Sequence, residues 1–252
     1  MPGLAKSGDG LNLIMSASPV SINHLKKNYH QHSVLNDIDL TIKPSEIFSL
    51  VGVNGAGKTT LIKCLLDFHS YDDGELKIFN IDSCNKQARG ELAYLPERFL
   101  PPYYFNGQQF LNYIFDLHNN LVDEKFVKAM LHDLDLSEEI LVKSVREYSK
   151  GMAQKLGLAA LFLLDKKLLV LDEPMSGLDP KARALVKKQL KLAKEKGKTI
   201  FFSSHLLADV EELSDRIGIL HEGKITFCGS PDECKQSYQA ETLEDAFLNC
   251  IS

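Results

Sequence analysis

The sequence predicts an α/β protein built on a parallel sheet, with an N-terminal antiparallel β layer and an inserted α-helical subdomain. Three observations carry this expectation. Apolar strand-like runs alternate with helical periodicity at both ends of the chain, the stretch from Asn106 to about Asp165 reads as almost all helix, and residues 35–43 alternate apolar with polar.

Taken in order, Leu35, Ile38, Leu40 and Ile42 stand around Asp37, Asp39 and Thr41, the period of a half-buried strand in an antiparallel layer. A solid apolar strand follows over Glu46-Ile47-Phe48-Ser49-Leu50-Val51. It runs into a glycine-rich turn and then into Thr59 to Leu66, whose apolar spacing is helical. In the middle, Asn106 can cap a helix over Gly107 to His118, Asp123 opens a second and Ser149 a third. No strand is expected there. Leu168 to Leu171 then reads as a strand, and Pro180 to Lys196 as a helix whose basic tail suits the helix dipole. Thr199 to Ser203 is a further strand, and a helix follows from about Leu206 to Leu213. Arg216 to His221 and Lys224 to Cys228 form an expected hairpin turning at Glu222-Gly223.

Composition narrows the class. The 252 residues carry 29 Lys+Arg against 34 Asp+Glu, a formal charge of −5, with 44 % hydrophobic residues. A chain of this length buries roughly 70–75 % of its unfolded surface, so it needs no staple to hold a core. Disorder and collagen-like repetition are excluded. The acidic balance argues against nucleic acid as a partner, because nucleic-acid binding shows as a clustered basic excess. The longest apolar run, Leu156 to Leu164, falls well short of the roughly 20 residues a membrane-spanning helix requires. Residues 1–19 read as a leader with only the short cluster Leu11 to Met15, too short for a secretory core. Cys64, Cys84, Cys228, Cys234 and Cys250 lack a Cys-x-x-Cys pair and read as reduced thiols, not a disulfide framework or zinc site.

Gly52-Val53-Asn54-Gly55-Ala56-Gly57-Lys58-Thr59 matches G-x-x-x-x-G-K-[ST] between a predicted strand and a predicted helix. Such a loop turns the N–H groups of Asn54, Gly55, Ala56 and Gly57, and the helix start at Thr60, toward a polyphosphate. Lys58 would reach the β- and γ-phosphates, and the Thr59 hydroxyl would ligate Mg²⁺. A second element is Leu168 to Pro174, an apolar strand ending in Asp172-Glu173. Strand side chains alternate, so one carboxylate can hold Mg²⁺ while the other faces a water near the γ-phosphate. An Asp-Glu pair after a strand is by itself usually a solvated turn; the phosphate loop upstream reverses that reading.

With Ser176-Gly177-Leu178-Asp179, Ser203-Ser204-His205 and Tyr148-Ser149-Lys150-Gly151-Met152, these motifs resemble the nucleotide-binding subunit of an ABC (ATP-binding cassette) transporter over about residues 20–235. The resemblance implies a phosphate-loop NTPase core with a helical subdomain at about 98–165, a helical tail over 236–252, ATP with Mg²⁺, and ATP hydrolysis. It assigns Glu173 as the base polarising water, Asp172, Thr59 and Glu97 to the metal, and His205 to sensing the γ-phosphate. Tyr29 would stack on adenine, Ser149 and Gly151 would grip the γ-phosphate bound to the other subunit, and Asp179 would communicate across the dimer. The implied partners are a second copy, or a related cassette, and an integral membrane permease on whose cytoplasmic side the chain would sit. The wording Leu95-Pro96-Glu97-Arg98 and Tyr148 to Met152 looks most like the exporter branch.

Three departures from the family pattern stand out. Lys150 replaces a glycine, Glu97 stands where most members carry glutamine, and Ser45 occupies a turn position that is usually glycine. The aromatic run Phe99 to Phe105 has two readings, a subdomain core or a groove for a coupling helix of the permease. An alternative function is a soluble cassette ATPase acting on a macromolecular assembly. The tandem repeat of translation-type cassettes and the long heptad insertion of repair-type ones are both missing from the sequence. A phosphate-loop kinase or GTPase leaves the signature and the block from Asp172 to Asp179 unexplained.

Overall fold

The computed structural model describes residues 18–252, so the expected leader lies outside the described residues up to position 17. Strands β1 (Val20–Tyr29), β2 (His32–Ile42), β3 (Ile47–Val51), β4 (Asp73–Ile78), β5 (Ile81–Asp82), β6 (Leu92–Leu95), β7 (Leu168–Asp172), β8 (Thr199–Ser204), β9 (Arg216–His221) and β10 (Lys224–Gly229) form two sheets. One is antiparallel, in the order β2-β1-β4-β5; the other is six-stranded, in the order β10-β9-β3-β8-β7-β6. In the second sheet β9, β3, β8, β7 and β6 are parallel, and β10 adds an antiparallel edge through the expected hairpin.

The helices are α1 (Lys58–Leu65), α2 (Gly107–Leu117), α3 (Glu124–Asp133), α4 (Lys150–Leu163), α5 (Pro180–Glu195), α6 (Leu207–Leu213), α7 (Pro231–Ser237) and α8 (Leu243–Ile251). Strands β3, β7 and β8 are buried along their whole length, because structure covers both faces of the parallel sheet. Side-chain alternation divides the interior in two. Ile47, Val51, Leu169, Leu171, Ile200 and Phe202 point into the core shared with α4 and α5. Phe48, Leu50, Leu168, Val170 and Phe201 point into the core shared with α1 and the antiparallel layer.

The middle of the chain holds α2, α3 and α4 and no named strand between Asn106 and Asp165; its one β contact is the isolated bridge Asn106–Ser144. Residues 236–252 are largely helical, but they are not a detached tail. Leu243, Ala246 and Phe247, spaced i, i+3, i+4, bury one face of α8 in the larger core. All five cysteines are free thiols. Among the described residues no helix is long and apolar enough to cross a membrane.

Register positions the site. Val51 lies opposite Ser204, and Asp172 opposite Ser203, so the carboxyl ends of β3, β7 and β8 finish side by side. That edge is where open parallel sheets collect ligands.

Candidate active site

From the end of β3 the chain turns through Gly52–Gly57 into α1. Gly57 holds φ 108°, a left-handed value that costs glycine nothing, and this turns the loop so that α1 starts directly at Lys58. The Lys58 ammonium, buried at 7 % exposure, donates to Gly52 O at 2.6 Å and to Val53 O at 3.4 Å, and lies 3.5 Å from Glu173 Oε1. The next residue, Thr59, donates its hydroxyl to Asp172 Oδ2 at 2.8 Å.

Asp172 and Glu173 leave the end of β7 in different directions. Asp172 is 1 % exposed, and its other oxygen accepts the Ser203 hydroxyl at 2.5 Å. The same Ser203 oxygen accepts the Glu173 N–H at 2.9 Å, so one side chain of β8 holds both acidic residues. Glu173 Oε2 lies 2.9 Å from His205 Nδ1, just past β8. Beside Asp172, burial pushes the Tyr94 phenol up to about 12, which keeps it uncharged next to the carboxylate.

A cleft of about 560 Å³ opens over these groups, lined by Asn54, Gly55, Gly57, Lys58, Thr59, Thr60, Glu97, Glu173 and His205, together with Val34, Val53 and Ser176. Ala56 sits beneath the loop with its N–H on Val53 O at 3.2 Å. Asp172 is reached through Thr59. The cleft therefore gathers a glycine-rich loop, a buried ammonium, a hydroxyl next to a carboxylate, and a second carboxylate held by an imidazole. That set suits a polyphosphate with a hard cation and a water to be activated.

Four expected site residues lie elsewhere. Tyr29 is 38 % exposed at the end of β1, its hydroxyl 3.1 Å from His69 Nδ1 and Lys27 Nζ 5.0 Å from its ring centroid. It does not line the cleft; the antiparallel layer contributes Val34 instead. Ser149 caps α4, accepting the Met152 N–H at 3.2 Å, and stands exposed outside the cleft, as does half-buried Gly151. Asp179 caps α5, accepting the Ala182 N–H at 2.9 Å, and also stays outside. Ser203, Ser176 and Val34 were not among the expected site residues. Ser203 was within reach, since it opens the Ser-Ser-His run, but its double contact depends on strand register.

Fold and site together define a nucleotide-binding cassette with a phosphate loop. The ABC transporter family profile matches residues 35–176. A lantibiotic transport ATP-binding protein of Streptococcus pyogenes is 33 % identical over 233 residues, covering 92 % of this chain and 97 % of the relative. An uncharacterized ABC transporter ATP-binding protein of Synechocystis is 39 % identical over 199 residues, covering 78 % of this chain but only 56 % of that relative's length. Among solved structures, an ATP-binding subunit of an ABC transporter superposes with a TM-score of 0.85 at 27 % identity, over 92 % of this chain and 99 % of that one. The chain belongs to the ABC transporter family, as one of its ATP-binding subunits.

Proposed function

We propose that this chain hydrolyses ATP as one of two subunits closing head to tail, and so powers a membrane transporter, in the direction of export. The observation that carries the reading is the division of the site. Lys58, Thr59, Glu173 and His205 meet in one cleft with Asp172 behind Thr59, whereas the helix start at exposed Ser149 and half-buried Gly151 lies outside it. Each chain thus carries two halves that fit together only between copies.

The Lys58 ammonium is held by two loop carbonyls and the Glu173 carboxylate. An entering polyphosphate offers Lys58 stronger charge-assisted partners, and the exchange frees Glu173 toward the cleft. Water then attacks the γ-phosphorus, its proton passes to a Glu173 oxygen, and the bond to ADP breaks. His205, on the other Glu173 oxygen, orients the carboxylate. Mg²⁺ fits the oxygen-only donor set of Thr59 and buried Asp172, with Glu97 on the cleft wall. When bound it neutralises charge on the phosphates.

The aromatic run after Glu97 supports docking on a membrane permease at the cytoplasmic face. Phe99 packs on Phe110 and Phe105 on Tyr113, while Leu100, Tyr103 and Tyr104 are 76 %, 62 % and 67 % exposed. The two sequence readings thus divide between residues of one loop, and the exposed set suits an interface anchor. The likeness to a lantibiotic transport subunit and the wording of the signature favour export. A homodimer suffices, since one chain carries both halves.

Replacing Glu173 with Gln tests the hydrolytic reading. Turnover is expected to fall by roughly 10²–10⁴, with an ATP-dependent dimer accumulating on gel filtration. A variant that still turns over removes Glu173 as the base.

A further inference from the structure

Glu173 occupies a costly backbone conformation, with φ 49°, in the left-handed region that a non-glycine residue holds only when its surroundings impose it. Its carbonyl accepts the Ser176 N–H at 3.1 Å, closing a tight turn. Two side chains hold that turn from outside. Ser203 on β8 takes the Glu173 N–H, and Gln154 on α4 donates its amide to Pro174 O at 3.2 Å. Gln154 is 2 % exposed, one of few polar side chains buried in the core, and its donor is aimed at the carbonyl of the residue directly after the base.

Gln154 also belongs to the helix that starts at Ser149, five residues or about 7.5 Å along its axis. Two further contacts bind the start of α4 to the segment beyond the turn. The Lys150 side chain lies over Gly177, where a Cβ would come within 3.0 to 3.2 Å of its last three atoms, and a Cβ on Gly151 would lie 3.9 Å from Leu178 Cδ2. The helix end that faces outward and the turn that carries Glu173 are therefore parts of one packed unit.

We propose that Gln154 is a positioning residue for hydrolysis: it fixes the left-handed turn from which Glu173 enters the cleft, and ties that turn to the helix bearing Ser149 and Gly151. The inference rests on Glu173 acting as the base. Gln154 does not line the cleft, so its effect is on the rate of the chemical step and not on nucleotide binding.

Gln154→Met keeps the volume and removes the donor. The full chain with this change is expected to lose roughly ten- to a hundredfold in kcat. KM for ATP and the affinity for a fluorescent ATP analogue should stay within about twofold, as for a contact felt only in the transition state. In the Glu173→Gln background the same change should cost no further turnover, since both act through one group. Gln154→Leu serves if the Met variant does not fold. Unchanged kcat, with Glu173→Gln inactive, overturns the proposal, as does a loss of nucleotide affinity parallel to that of kcat. Retained turnover in Glu173→Gln alone instead removes the base on which the proposal stands.

Discussion

Gly52 shows how closely the phosphate loop is fitted to the sheet. A Cβ there would come 2.5 Å from Leu220 O, a backbone atom of β9 with no freedom to turn aside. Gly52→Ala is expected to cost roughly 1–3 kcal/mol through overpacking and to displace the loop from the phosphates. Thermal unfolding together with ATP titration checks both. Gly90→Ala, where a Cβ meets nothing within 4 Å, should stay within about 0.5 kcal/mol of the parent. At this scale the sequence was informative where chemistry is packed into short motifs, as in Gly52 to Thr59 and Asp172-Glu173. Ser203 and Gln154 were not legible as site residues. They reach Asp172 and Pro174 across 31 and 20 positions, through strand register and helix packing that no local pattern encodes. Tyr29 differs again: its assignment comes from a motif position alone, and the structure places its ring edge-on to His69, outside the cleft lining.

Among the elements, α2 was the most readable, because its start is written in side chains. The Asn106 oxygen accepts the Gln109 N–H while the Gln109 side chain accepts the Asn106 N–H, a reciprocal cap. Asn106→Ala is expected to destabilise by about 1 kcal/mol, seen as a fall in Tm of roughly 2–4 °C for a chain of this size. No change would mean that the cap does not stabilise the subdomain. Strand β1 was unreadable for an equally specific reason. Val20 and Ile22 are buried on one parity, Leu25 and Lys27 on the other, because the pairing with β2 slips between Ile22 and Leu25. The bulge erases the alternation by which β2 was recognised. Strand β6, four residues long and held between β7 and a turn of 3₁₀ helix, is too short for any period to emerge.

At the scale of the whole molecule, Lys58, Glu173 and His205 line one cleft with Asp172 behind Thr59, while the signature helix start at Ser149 lies outside it, where the proposed second copy would use it. The proposed function places one active centre between two such chains, each supplying one half. This can be tested by mixing two variants, each defective in a different half. Lys58→Ala removes the phosphate cation, and Ser149→Arg blocks the signature, so each alone should be inactive. In a mixed dimer, the intact Lys58 of one copy faces the intact Ser149 of the other. An equimolar mixture is therefore predicted to recover about a quarter of the parental ATPase rate, since half the dimers are mixed and each carries one whole site. A mixture no more active than the two variants apart, with mixed dimers present, would contradict the shared site.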